Sequence, residues 1–253
     1  FTDKEGYTCY DMTTADYRGI LFNFWNDYWT ENRDLIPAIC YGIDRQAIID
    51  SVLLGQGMAA YSPLQRNIYN DPDVSHYDYD PEKAKALLEE AGWDGSQTIR
   101  FYVNSGDSTF VNAASIIAAE WAAVGIKAEI QTVDFATLMS VAGTEDYDVL
   151  AVQYTYAPVD PYPDVAWLLG GEGSWTGYSD DTLNDALTKS QLTSDPEETK
   201  ELFSVVDKKV QEDVPMFSAY VISAQGAVSK RITGAAPSVY GFFNDVQNWD
   251  VVE

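Results

Sequence analysis

The stretch from Tyr147 to Asp164, YDVLAVQYTYAPVDPYPD, gathers the side chains best suited to holding a solute. Tyr154, Tyr156 and Tyr162 supply aromatic faces for stacking and hydroxyls for hydrogen bonding. Asp160 and Asp164 supply carboxylates that accept from an amine or a sugar hydroxyl. Pro158, Pro161 and Pro163 stiffen the backbone between them. A second cluster, GGEGSWTG at Gly170–Gly177, presents Trp175 from a flexible setting. Two alternatives stand beside this reading. The tyrosines could pack on neighbouring helices, and Asp160 could serve only to fix the Asp-Pro turn. Trp167, followed by Leu168 and Leu169, reads as core rather than contact.

The same carboxylates could act as acid and base in glycoside hydrolysis, the one reaction for which the residue types are present. A catalytic assignment needs convergent roles, and an acidic chain supplies many Asp pairs by chance. GxSxG, Walker, Rossmann glycine and HExxH patterns are absent from the sequence. With one histidine, His76, in polar, turn-forming sequence, a Ser-His-Asp triad and a protein-only metal site are both disfavoured. Of the two cysteines, Cys40 lies among apolar residues and reads as a buried free thiol, with a Cys9–Cys40 bridge as the alternative in an oxidising compartment. The sequence implies no cofactor. It is built to hold something, not to transform it.

The elements that position these groups follow from periodicity. Val149–Val152 is an unbroken apolar run with β-branched ends, expected as a strand covered on both faces. Ligands of open α/β sheets bind beyond the carboxyl ends of such strands. Before it, Ile99, Phe101 and Val103 alternate with polar residues. Ser108 is placed to cap a helix ended by Gly125, and Ile126, Ala128 and Ile130 alternate again. A helix around Phe135–Val141 completes a right-handed wound unit with a parallel sheet. Asp80, Pro81 and Glu82 open an amphipathic helix stopped by Gly92. Asp34 and Asp44 are expected caps of two earlier helices, Ser179 of a later one, and Asp195-Pro196 with Glu198 of a long helix reaching Glu212. Tyr17–Phe24 reads as a strand, residues 56–72 as a long irregular loop, and Met216 onward as short strands and turns.

With 253 residues and 46% apolar content the chain can build one large domain or two small ones. A net charge of −25 argues against nucleic acid and anionic membrane surfaces as partners, since both require basic patches. No apolar run approaches the ~20 residues of a membrane helix, and nothing at Phe1 resembles a signal peptide, as expected of a secreted protein read from its mature end or of a fragment.

Several segments, in order, resemble the extracellular solute-binding proteins of ABC importers for oligopeptides, dipeptides and nickel chelates, family 5. They are Tyr41-Gly42-Ile43-Asp44-Arg45, Tyr79-Asp80-Pro81-Glu82-Lys83-Ala84 through Ala91-Gly92-Trp93, Trp121–Ile126, Tyr147-Asp148 with Asp160-Pro161, Tyr178-Ser179, and Glu212–Pro215. The resemblance implies a periplasmic-binding-protein-like α/β fold with a wound, mostly parallel sheet flanked by helices. It implies residues 1–20 as a lead-in from a missing lobe, 21–214 as the second lobe, and 215–253 as hinge and C-terminal strands returning toward the missing lobe. It also implies a monomeric periplasmic or extracellular protein, lipid-anchored in full length. Such a protein captures a peptide-like ligand between two lobes for a membrane permease, with an oligosaccharide as the alternative ligand. The ligand face would be Tyr154, Tyr156, Asp160, Tyr162 and Trp175. Where dipeptide binders of the family hold the ligand's amine with an aspartate, this chain has Ala157. After the strand at Ile99–Val103 it has Asn104-Ser105-Gly106-Asp107 in place of their arginine, and His76 does not match the metal-contacting histidine of nickel members.

Overall fold

Two periodicities meet at one strand, and the sheet is built outward from it. The computed structural model describes residues 4–155, 160–170, 174–239 and 241–252. In chain order the elements are β1 (Tyr7–Phe22), α1 (Asp27–Glu31), α2 (Leu35–Tyr41), α3 (Arg45–Val52), β2 (Gly57–Ala59), α4 (Pro81–Glu90), β3 (Thr98–Asn104), α5 (Ser108–Val124), β4 (Lys127–Val133), α6 (Phe135–Val141) and β5 (Val149–Thr155). They continue with α7 (Tyr162–Leu169), α8 (Asp181–Ser190), α9 (Pro196–Asp213), β6 (Met216–Ser229), β7 (Ile232–Thr233) and β8 (Asp250–Val251).

The main sheet has six strands in the order β2-β6-β1-β5-β3-β4. Ile99, Phe101 and Val103 of β3 are buried while their neighbours are not, and Val149–Val152 of β5 are buried without alternation, as strands covered on one and on both faces require. β3 pairs in parallel with both β4 and β5, which realises the wound unit. Beyond β5 the sheet turns antiparallel, through β5 with β1, β1 with β6 and β6 with β2, so the whole is a mixed α/β sheet flanked by helices.

A buried carboxylate fixes the start of β5. Asp148 accepts from the Arg100 backbone N–H at 2.7 Å, from its guanidinium Nη2 at 2.9 Å and Nε at 3.2 Å, and from Asn26 Nδ2 at 3.2 Å. Its carbonyl accepts from Trp29 Nε1 and the Asn23 N–H. One residue thus ties β5 to β3 and to the segment that follows β1.

The antiparallel half departs from expectation in length. β1 begins at Tyr7, ten residues before the strand legible from periodicity, and β6 is one strand of 14 residues where short pieces were expected. The reason is mutual pairing. Tyr7–Thr13 and Ser223–Ser229 form a half-exposed ribbon whose ladder, not a buried face, holds the strands extended. Two register shifts bend it. At the first, Thr14 Oγ1 donates to the Ile222 carbonyl and accepts from the Asp16 N–H. At the second, β1 approaches β6 so closely that a Cβ on Gly19 would lie 2.0 Å from the Phe217 carbonyl oxygen, which only glycine avoids.

Most helix starts follow the expected chemistry. Asp44 and Asp80 cap α3 and α4, and Gly125 ends α5 with φ +95°. Four details are corrected. Asp34 precedes α2 without a side-chain capping bond, because its own backbone is already helical. Asp107 and Asp180, rather than Ser108 and Ser179, cap α5 and α8; the carboxylates, one residue before Ser108 and one after Ser179, accept from the Thr109 and Leu183 N–H groups. Glu198 bonds Thr193 Oγ1 instead of closing a capping box on Asp195. Finally, the stretch expected as a rigid loop becomes helix α7 from Tyr162, since Pro161 and Pro163 fall at its start, where a missing N–H costs nothing.

The motif residues hold the fold. Arg45 is buried between the rings of Phe217 (4.1 Å) and Tyr61 (4.7 Å) and donates to the carbonyls of Ala60, Ser218 and Tyr77. Burial lowers its pKa to about 10. Trp121 Nε1 donates to the Ile39 carbonyl and Trp93 Nε1 to that of Gly125, binding α5 to its neighbours. The cysteines are both free, with Cys40 enclosed and Cys9 exposed. The irregular segment between β2 and α4 is strapped onto α9 by a Tyr69–Phe203 stack, a Ser204–Asp71 bond, the Tyr77 hydroxyl on the Gln211 carbonyl, and Ser62 Oγ at 2.6 Å from both oxygens of buried Asp207.

Replacing Asp148 with alanine removes the acceptor for four donor groups and is expected to cost about 3 kcal/mol, read as a lowered urea midpoint; an unchanged midpoint would remove its anchoring role. Burial pushes the Asp207 carboxyl up to about 7, with Asp71 adding to the shift and Ser62 and Lys208 opposing it. Between about pH 4 and that value the native state keeps a proton that the unfolded chain has lost, so stability falls as pH rises through this window. Asp207→Asn should therefore lose less stability than the parent between pH 5 and pH 8; parallel losses would contradict the assignment. Glu120, raised to about 7 by burial, leaves a residual slope of the same sign.

Candidate functional site

At the carboxyl end of β5 the sheet opens. β3 and β5 pair only through Phe101↔Val149 and Tyr102↔Leu150, whereas β5 continues to Thr155 in register with β1 and β3 continues to Asn104 in register with β4. Among the described residues, the ladder between β3 and β5 therefore stops partway. The gap is a groove of about 340 Å³ lined by Leu150–Thr155 along one wall and by Asn104, Phe110, Phe135, Leu138, Met139 and Trp175 around the rest. Phe135 is 60% exposed and Met139 37%, so the α6 side forms an open apolar rim.

Charge lies behind this lining. Arg18, buried on β1, stacks over the Phe110 ring at 4.6 Å and pairs with Asp107 at 2.8 Å and Asp16 at 3.3 Å. Gln153 Nε2 donates to Asp16. Arg18 holds Asp107 below the ordinary carboxylate range against the opposing pull of burial. The Asn104–Asp107 turn, which lacks an arginine of its own, thus receives one from β1 through Asp107.

The expected site residues take different places. Tyr154 borders the groove, but its ring is 7% exposed, stacks on Tyr17 at 5.2 Å, and its hydroxyl bonds Ser218 Oγ at 2.6 Å. Burial raises its pKa well above the usual phenol value. The expectation of a free aromatic face there is corrected: an outward tyrosine on this strand would forfeit the stack that closes the opposite side of the sheet. Asp160 is exposed and accepts from the Tyr162 N–H at 3.0 Å, which fixes the turn into α7. Tyr162 is half-buried against the core at the start of that helix. Tyr156, with Ala157 and Pro158, lies outside the described residues.

Trp175 reaches the groove because the turn that carries it is clamped to the end of α7. Its N–H donates to the Trp167 carbonyl, Thr176 Oγ1 donates to that of Leu168, and the Phe24 N–H donates to the Thr176 carbonyl. Trp167, expected in the core, is 56% exposed and stacks on Trp175 at 4.9 Å; Leu168 and Leu169 are the buried residues of that run. Sequence reasoning missed Phe110, Phe135 and Met139 as groove residues. The available signal was α6 itself, a seven-residue helix with more apolar positions than one buried face can use, since only Leu138 is buried. His76 lies beside Tyr61 and Asp78, and no group of three metal-ligating side chains occurs among the described residues.

Known proteins share this architecture. The structure superposes on the ABC transporter substrate-binding protein CtaP of Listeria monocytogenes with TM-score 0.88 at 21% identity, covering 98% of this chain and 52% of that one. It superposes on the oligopeptide-binding protein AppA of Bacillus subtilis, solved with a nonapeptide, with TM-score 0.78 at 18% identity, covering 99% and 53%. In sequence, heme-binding protein A of Haemophilus influenzae is 27% identical over 222 residues, 84% of this chain and 40% of that protein. The dipeptide-binding protein of Escherichia coli is 30% identical over 189 residues, 70% of this chain and 35% of that protein. The chain thus spans about half the length of the solved relatives and less than half of these curated ones. These relatives are named as binding proteins and none as a hydrolase, which sets aside the hydrolase reading of Asp160 and Asp164. A profile described as bacterial extracellular solute-binding proteins, family 5 Middle, matches residues 2–176, and the chain belongs to that family.

Proposed function

We propose that this chain is the second lobe and return segment of the solute-binding component of an ABC importer, and that a peptide-like ligand lies extended along β5 where its ladder with β3 stops. That interruption, beside a groove of about 340 Å³, carries the reading. An extended peptide gains affinity from main-chain hydrogen bonds when it adds to a strand edge, and neighbouring pockets then select its side chains. Trp175 is the ligand-facing residue in the groove, Asp160, Tyr162 and Tyr156 are further candidates for the ligand face, and Tyr154 serves as support. Residues 21–214 form the lobe, and the β1–β6 ribbon leads toward a first lobe that closes over the ligand. The working protein is monomeric, periplasmic or extracellular, lipid-anchored in full length, and hands its ligand to a membrane permease. Among the described residues no helix is long and apolar enough to cross a membrane.

An oligosaccharide is the second reading, favoured by the exposed Trp167 ring stacked on Trp175, a surface that sugar rings can cover. Titrating the isotope-labelled chain with mixed tri- to pentapeptides, and separately with cello- and manno-oligosaccharides, separates the two by amide chemical shifts. Peptides are expected to move the Val152–Thr155 amides and the Trp175 indole in a saturable way. Movement with sugars alone would transfer the assignment to the second reading, and no movement with either would overturn both.

A further inference from the structure

The groove beside β5 also specifies what it takes. We propose that it is a side-chain subsite for a large neutral apolar residue of the bound peptide, leucine, methionine or phenylalanine, and that it rejects acidic side chains. The inference rests on the peptide reading above and goes beyond it by naming the subsite, its walls and its selectivity.

Three observations carry it. First, in a chain with 22% charged residues and net charge −25, every side chain that lines this groove among the described residues is uncharged. Second, its lining is apolar and open: Phe135 and Met139 expose 60% and 37% of their surface from α6, and Trp175 lines the same groove, so a side chain leaving a peptide on β5 meets sulfur, ring and indole. Third, the charges directly behind the lining do not cancel. Arg18 under Phe110 is matched by two carboxylates, Asp16 and Asp107, leaving one negative charge in excess. A carboxylate entering the groove would lose water, find no basic partner among the described lining residues and face that excess. A neutral apolar group loses nothing comparable and covers the exposed rim. A lysine would feel the favourable field but would have to leave its ammonium in apolar surroundings, so it falls between the two.

Residues at the open rim can be changed without disturbing the core, which makes the test direct. A set of peptides differing at one position (Phe, Leu, Ala, Lys, Glu) is titrated into the chain and into Met139→Lys and Phe135→Ser, with the Trp175 indole and β5 amides as readout. Far-UV circular dichroism confirms that each variant is folded. Phe and Leu peptides are expected to bind the parent about tenfold to a hundredfold more tightly than the Ala peptide, with the Glu peptide weakest. Met139→Lys should weaken the Phe peptide about fivefold or more and raise the Glu peptide toward it, while Phe135→Ser should narrow the gap between Phe and Ala. Equal affinity across the set, or rim variants that leave the ranking unchanged, would overturn the subsite and leave the peptide reading standing. Failure of every peptide to perturb the readout would overturn both.

Discussion

The carboxylate of Asp148 is the constraint on which the rest of the structure depends. It sits 2% exposed at the point where the parallel and antiparallel halves of the sheet meet, and it uses its side chain on β3 and on the segment after β1 while its carbonyl serves Trp29 and Asn23. A buried carboxylate is tolerated only when its acceptor sites are filled by well-placed donors. Here the donors come from two parts of the chain far apart in sequence, Arg100 on β3 and the segment after β1, so satisfying the charge and assembling the sheet are one event. Once Asp148 is held, β5 has a fixed origin and direction, and everything at its far end inherits that geometry.

That inheritance explains why the recognisable sequence motifs and the candidate site occupy different residues. Arg45, Asp80, Trp93, Trp121 and Asp148 carry the family resemblance, and each is spent on carbonyls, caps or ion pairs inside the fold. The groove is lined instead by Phe135, Met139 and Trp175, which stand on short or irregular segments with no motif around them. A rigid frame that leaves the groove residues outside its internal contacts suits a family whose members are named for different solutes.

The wound unit was legible because its signals are local: strict alternation in Ile99–Val103, a continuous apolar run in Val149–Val152, and glycine stops such as Gly125. The long β1–β6 ribbon was not, because its order comes from pairing between residues some two hundred positions apart rather than from an apolar face. Of the site, Trp175 was legible as an aromatic in a glycine-rich stretch. The burial of Tyr154 was not, because it is decided by Tyr17 and Ser218, partners distant in sequence. The groove itself is a statement about where two strands part company, and residue types do not encode that by themselves.

The place of the interruption has a further consequence. An unpaired strand edge at the margin of a sheet invites another molecule's edge and, with it, aggregation. β5 lies fourth in the order of six, with β3 and β4 beyond it, so its open stretch is a notch inside the sheet rather than a border. A second sheet would collide with β3, α6 and Trp175 before its backbone came within bonding distance. A single slender chain would not, so the fold offers its main-chain donors and acceptors to a solute while withholding them from its own kind.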